Sequence, residues 1–339
     1  MSSLAEQLIG MMPELTKLRT TERALRHARE NLPFIERTRR TILDLEAMEP
    51  AREDESAIVI AAGPSLKRRD SIRRIKAGGY RGTIVACDAS LGECLRHGLV
   101  PDFTLTVDPH ETRIVRWFGD PELETRIDDD YFRRQDLDVT LNTDELRRNR
   151  ELVELVNRHG PGLRLVISTS SSTVVTQRAV DAGMRLFWWT PMYDDYEDPA
   201  SETRKVFELT GVPSMEAGGN VGTAAWVFAH AVLRKQRVAV VGLDLGYPPD
   251  TPFSRTQYYN EVVDLLGDRH PEAFVRFDNG WYADPAYCWY REAFMMLAAR
   301  TDSVTYNCTE GGTVFGGAIR TQSLDEFLER SPRWREGAE

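Results

Sequence analysis

The sequence has no run of about 18 consecutive apolar residues, so no transmembrane helix is expected. The N-terminus carries no apolar segment of signal-peptide type. Cysteine is sparse. Cys87, Cys94, Cys288 and Cys308 form no C-x-x-C pair, and no histidine stands beside them at zinc-ligand spacing. That excludes a disulfide scaffold and a cysteine zinc site, and it fits a reducing, cytoplasmic compartment. Lysine is scarce too, standing only at Lys17, Lys67, Lys76, Lys205 and Lys235. The net charge of −10 argues against binding to nucleic acid or an anionic membrane, though it leaves room for a local basic pocket. Two phosphate-binding signatures are missing: G-x-G-x-x-G for dinucleotides and G-K-[ST] of the Walker loop.

What remains is ordinary globular material: 339 residues, 41% hydrophobic and 28% charged. Leu4, Leu8, Met11, Met12, Leu15 and Leu18 recur at helical spacing, and Leu25, Leu32, Ile35, Ile42 and Leu45 continue it. This predicts a helical arm over 1–50 in two pieces, broken near Pro33, with a polar linker over 49–56. The arm could support a homo-oligomer, dock a protein acceptor, or simply pack on the domain.

From Ala57 the pattern changes to short apolar runs alternating with helical segments, the signature of a parallel sheet. Strands are expected at 57–62, 83–87, 103–107, 163–167, 185–189, 237–241 and 303–306. Helices are expected at 66–77, 90–97, 144–158, 172–182, 221–234 and 286–299. A-I-V-I-A-A, T-I-V-A-C and R-V-A-V-V-G lack polar alternation, as strands covered on both faces do. The predicted fold is α/β and Rossmann-like, a mostly parallel sheet with helices on both faces, over 57–330. Residues 191–217 and 246–284 break the rhythm beyond apparent strand ends, where ligand loops emerge.

Five segments carry candidate chemistry. A-A-G-P-S-L follows the first strand and opens a helix. Gly63 permits a tight turn, Pro64 suits a helix start, Ser65 can cap it, and the free N–H groups through Leu66 suit a phosphate. A-C-D-A-S-L ends the next strand in Asp88, placed to meet a ribose hydroxyl or to cap a helix. G-L-V-P-D-F-T-L-T-V-D-P-H brings Asp108 to a strand end and His110 beside it, each a candidate proton acceptor. E-A-G-G-N-V-G-T-A-A makes a second glycine turn from Gly218, Gly219 and Asn220, and its helix feeds a strand ending in Asp244, a further candidate proton acceptor, and Tyr247. Y-N-C-T-E-G-G places Asn307, Thr309 and Glu310 after the last long strand, able to hold a base or sugar edge.

In this order the motifs resemble the MptE-like domain of motility accessory factor flagellin glycosyltransferases and of 6-hydroxymethylpterin diphosphokinases. The resemblance rests on Gly63–Leu66, Asp88, Gly98–Asp108, Gly218–Asn220, Gly242–Tyr247 and Asn307–Gly312, across about 57–320. It implies a transferase that moves a nonulosonic acid from a CMP-sugar donor to a protein such as flagellin. Its alternative is an ATP-dependent pyrophosphoryl transferase acting on a pterin, with Mg²⁺ on Asp108 and Asp244 and Lys67, Arg68 and Arg69 near the extra phosphates. In that alternative Trp188, Trp189 or Trp281 could stack the pterin. A non-catalytic nucleotide-binding module is the third reading. The core is also similar to bacterial CMP-sialyltransferases, whose base is a histidine shortly before the last long helix. Here that stretch reads W-Y-A-D-P-A-Y, so Asp284 or Tyr282 would have to substitute. Tyr247, Tyr258 or Tyr259 could donate to the leaving phosphate.

Overall fold

The structure, a computed structural model, describes residues 3–45, 55–110, 114–126 and 145–331. Most of the expected linker and the first residue of the expected 144–158 helix lie outside them.

Nine strands form one sheet: β1 (Ser56–Ile60), β2 (Thr83–Cys87), β3 (Phe103–Thr106), β4 (Arg164–Ser168), β5 (Arg185–Pro191), β6 (Ser214–Met215), β7 (Arg237–Val241), β10 (Val304–Asn307) and β11 (Ile319–Thr321). Their order is β11-β10-β7-β1-β2-β3-β4-β5-β6, and each hydrogen-bonded pair is parallel. The α/β, Rossmann-like expectation is met, and every predicted strand is present within two residues. β6 and β11 escape sequence reading because two or three residues carry no period. A separate hairpin, β8 (Val275–Arg276) with β9 (Tyr282–Ala283), turns near Asn279–Gly280 inside a stretch read as loop.

The strands lack alternation because both faces are covered. Ala57, Val59, Val85 and Val240 pack on one face with Trp226, Phe228 and Phe294. Ile58, Ile60, Ala86 and Val241 pack on the other with Ile72, Ile75 and Phe327. Beyond β3 the second face continues through Leu165, Ile167, Val175 and Phe118. Each such Val, Leu, Ile or Phe side chain contributes about 1.5–3 kcal/mol on burial. The four cysteines are buried free thiols, and burial pushes Cys288 and Cys308 up to about 12.

Two expected helices differ in detail. The 66–77 segment divides into Ser65–Arg68 and Ser71–Ala77 at Asp70, whose φ of 49° lies in the left-handed region that aspartate tolerates better than most residues. The 221–234 segment is α-helical over Val221–Val227 and then π-helical over Phe228–Val232.

The N-terminal segment is a helix over Ser3–Glu30 and a short one over Leu32–Thr38. The break falls at Asn31. Pro33 sits in the first turn of the second helix, where its missing N–H costs nothing. The long helix lies against the Pro285–Ala298 and Glu202–Thr210 helices. Buried polar groups lock it there. His27 Nδ1 lies 2.8 Å from the Ser170 carbonyl, and Asn31 donates to Thr169 O and Ser171 O at 3.2 and 2.7 Å. Thr176 donates to Asn31 Oδ1 at 2.9 Å, and Trp188 Nε1 donates to Thr38 Oγ1 at 2.8 Å.

The connection order reverses between β1 and β7. Successive strands β2 to β6 lie on one side of β1, and β7, β10 and β11 on the other. The crevice outside the carboxyl ends of β1 and β7 is where an open α/β sheet takes its ligand.

Candidate functional site

That crevice is the floor of a cleft of about 1330 Å³. Gly63, Pro64, Asp88, Asp108 and His110 line it from the loops after β1, β2 and β3. Gly218, Gly219 and Asn220 line it from the turn after β6, and Asp244 and Asp284 from the loops after β7 and β9. Most of the expected site residues therefore share one cavity, although they come from well-separated stretches of chain.

The first glycine turn differs from its expected role. Gly63 N–H donates to Gly242 O at 2.8 Å, and Leu66 N–H donates back to Gly63 O at 3.0 Å. Ser65 N–H donates to Asp244 Oδ2 at 3.0 Å, and the Ser65 hydroxyl donates to Asp244 Oδ1. The carboxylate of Asp244 thus occupies the place at the helix start that the sequence reading reserved for a phosphate. Gly63 is needed for this approach, since a Cβ there would lie 2.1 Å from Asp244 Oδ2. Leu66 turns into the core.

The second turn is open. Asn220 Oδ1 caps Thr223 N–H at 2.9 Å, and its Nδ2 donates to Thr223 Oγ1 at 2.8 Å. The helix itself cannot satisfy the N–H groups of Val221 and Gly222 in its first turn, and both residues line the cleft. Gly219 has φ 80°, and a Cβ there would strike the Tyr290 and Trp289 rings at 2.7–2.8 Å.

The carboxylates fall into two kinds. Asp244 and Asp284 are 2% and 0% exposed, and burial pushes each up to about 6. The Ser65 bonds oppose the shift at Asp244. At Asp284 it is opposed by the Tyr247 hydroxyl, donating at 2.6 Å, and by the Tyr287 N–H at 2.9 Å. Asp284 also caps the Pro285–Ala298 helix. Asp108 is only partly buried and accepts the His110 N–H at 2.8 Å. Asp88 is buried and accepts from Thr106 Oγ1 at 2.8 Å and Ala89 N at 2.7 Å.

Several expected residues lie away from the cleft. Tyr247 is buried beneath it, committed to Asp284 and to Gln257 N–H. Asn307 donates to Val314 O and accepts from Thr309 N–H, and both are buried. Glu310 pairs with Arg74 at 2.7 Å and accepts the Leu324 N–H at 3.0 Å. The loop they belong to acts from behind, because Thr313 N–H donates to Asp244 O at 2.8 Å. Arg68 pairs with Asp250, and Arg69 donates to Glu310 O. Trp188 and Trp189 are core side chains. Tyr258 lines the cleft, and burial holds its phenol well above the ordinary range.

Sequence reasoning missed one whole wall. Met12, Thr16, Thr20 and Arg23 of the N-terminal helix line the cleft, as do Ser170 and Tyr193. The helical stripe was visible in the sequence, but nothing in it says which face of the sheet the helix crosses.

Residues 26–121 match the model of a family described as 6-hydroxymethylpterin diphosphokinase MptE-like. The matched segment holds the first glycine turn, Asp88 and Asp108, whereas Gly218–Asn220, Asp244 and Asn307–Gly312 lie beyond it. An uncharacterized protein from Treponema pallidum (strain Nichols) is 42% identical over 53 residues, 16% of this chain and 24% of that protein. The structure of MAf glycosyltransferase from Magnetospirillum magneticum AMB-1 is similar with a TM-score of 0.49 and 18% identity. That likeness covers 84% of this chain and 35% of the other, so the chain spans about a third of that protein's length.

Proposed function

We propose, from the MptE-like segment and the cleft built on it, that this chain is a glycosyltransferase taking a CMP-activated nonulosonic acid, with a protein such as flagellin as acceptor. The observation that carries the reading is the convergence of Gly63, Asp88, Asp108, Asn220 and Asp244 on one cleft at the reversal between β1 and β7. In this reading the phosphate of CMP meets the open turn at Gly218–Gly222, and Asp88 faces the ribose. The acceptor hydroxyl attacks the anomeric carbon and gives its proton to Asp108, with His110 beside it. The bond from that carbon to the phosphate oxygen breaks, and its electron pair leaves with CMP. The Tyr258 phenol, kept protonated by burial, donates a hydrogen bond to that oxygen. Carboxylates outnumber cations along the cleft. Such a lining suits an oxocarbenium-like transition state, which carries positive charge.

The second reading, pyrophosphoryl transfer to a pterin, is favoured by the description of the matched family. A triphosphate entering this acidic cleft would need Mg²⁺, and Asp108 and Asp244 are the oxygen donors that would help hold it. Among the described residues no group of three or more histidine, cysteine or acidic side chains is arranged to bind a metal, so the substrate phosphates would complete the shell.

A thermal-shift panel with CMP, CTP, ATP and NAD, each with and without Mg²⁺, separates the readings. CMP and CTP should raise the melting temperature more than ATP or NAD. Stabilisation by ATP with Mg²⁺ alone would select the pterin enzyme. Asp108→Asn should cut turnover by about 10²–10⁴-fold; wild-type turnover in that variant would remove Asp108 from the chemistry.

A further inference from the structure

The walls of the cleft differ in chemistry. Its floor, at the strand ends, carries Asp88, Asp108 and Asp244. The wall formed by the Pro285–Ala298 helix, with Tyr258 beside it, presents the rings of Tyr258, Tyr287, Trp289 and Tyr290. Along that helix Ala286, Trp289, Tyr290, Ala293 and Met296 all line the cleft, at the spacing of one helix face. Tyr290 has Ala286 one turn before it and Ala293 one turn after it, so its neighbours on that face are too small to cover its ring. Two further rings touch it, Tyr287 at 6.0 Å and Trp289 at 5.1 Å between centroids. They are tilted by 54° and 45°, so neither lies flat on it. Trp289 and Tyr290 are both half-buried.

These two rings meet the open glycine turn. A Cβ at Gly219 would lie 2.7 Å from two carbons of the Tyr290 ring and 2.8 Å from Trp289 Cη2. Without that Cβ the rings stand directly against the backbone of the turn, and Gly219 itself stays exposed. The junction of turn and rings therefore opens into the cleft. The Tyr290 hydroxyl lies 3.4 Å from that of Tyr258, the phenol that serves the leaving oxygen in the proposed reaction. We infer that Tyr290, flanked by Trp289, stacks the nucleobase of the bound nucleotide. This deepens the proposed function and rests on its placing a phosphate at Gly218–Gly222. The base is the flat part of a nucleotide, and in a cleft whose floor is acidic it gains most against a ring. Stacking uses the face of the base, which every base has. The rings then supply affinity for a nucleoside and leave the choice among bases to hydrogen bonds elsewhere.

The test is calorimetric titration of the full chain with CMP and with ribose 5-phosphate, which lacks a base. Wild type, Tyr290→Phe and Tyr290→Leu are compared. Wild type should bind CMP at least about tenfold more tightly than ribose 5-phosphate. Tyr290→Leu keeps apolar bulk and loses the ring, so it should weaken CMP alone and bring the two affinities within about threefold. Tyr290→Phe keeps the ring face and should keep the wild-type ratio. Equal weakening toward both ligands in Tyr290→Leu would show that the turn has merely shifted, and an unchanged ratio would show that the ring holds no base. Either result overturns the inference and leaves the proposed function standing. The same titrations with AMP separate the two claims. A chain that binds AMP and not CMP overturns the CMP-sugar reading, and the inference then stands or falls on the AMP ratio. A wild-type chain that binds neither nucleotide would overturn both.

Discussion

The two glycine turns look alike in sequence and end in different states. Each puts a small residue after a strand and before a helix, and each comes close to an acid-bearing loop. At Gly63–Leu66 the turn is closed, because Asp244 reaches across from β7 and takes the Ser65 N–H and hydroxyl. At Gly218–Gly222 no carboxylate of the described residues accepts a hydrogen bond from the turn. Asn220 caps Thr223 with its own side chain, and the first-turn residues Val221 and Gly222 line the cleft. An amide pattern that could bind an anion is therefore only a capacity, and a neighbouring strand decides whether an internal carboxylate uses it first.

The comparison can be broken most decisively at Gly219. Gly219→Val forces a side chain into left-handed backbone and against Tyr290, so nucleotide affinity should fall by more than about 100-fold while the chain stays folded. Calorimetry reads this directly, and unchanged affinity would mean that the open turn is not the phosphate site.

A smaller effect should appear in the pH dependence of stability. The folded-state values of Asp244 and Asp284 are raised above the ordinary carboxylate range. Both groups therefore favour the folded state most when protonated, and that stability is lost as pH rises from about 4 through about 6. Asp194 runs the other way. Despite its burial, bonds from Glu202 N–H, the Ser201 hydroxyl and Thr203 hold it below the ordinary range, so its contribution is lost as pH falls through the acid range. Asp244→Asn should remove a slope worth roughly 2–3 kcal/mol across the upper window, and Asp284→Asn should remove a similar share. Urea denaturation at intervals between pH 4 and 7 measures both. A slope that persists in the double variant would place its origin elsewhere.

The smallest expected change sharpens the contrast from the closed side. Ser65→Ala takes one hydroxyl from a buried carboxylate and should cost about 1–2 kcal/mol of stability. Nucleotide affinity should stay within about twofold of wild type, because Ser65 serves Asp244. A tenfold loss of affinity with no change in stability would reverse the roles assigned to the two turns.

Much of the fold was legible in the chain itself. Unbroken apolar runs such as A-I-V-I and V-A-V-V read as strands covered on both sides, and helical segments between them fit the parallel pairing found. The aspartates after β2, β3 and β7 were expected at the carboxyl edge, and Asp88, Asp108 and Asp244 line the cleft there. Asn307, Thr309 and Glu310 were less legible. Polar residues beside glycines read the same whether they meet a ligand or brace neighbouring structure; here Asn307 braces the loop through Val314 O, and Glu310 holds Arg74 and the Leu324 N–H. Pairings such as Ser65 with Asp244 or His27 with Ser170 join residues more than a hundred positions apart, and no local pattern announces them.

By itself the sequence determined which segments would become strands and helices and which acids would stand at strand ends, because backbone period and burial are local properties. Only the tertiary structure decided which glycine turn stays open, where the N-terminal helix lies, and which carboxylates lose their water. Those outcomes depend on distant groups competing for the same hydrogen bonds and the same space, and that competition is settled only when the sheet brings them together.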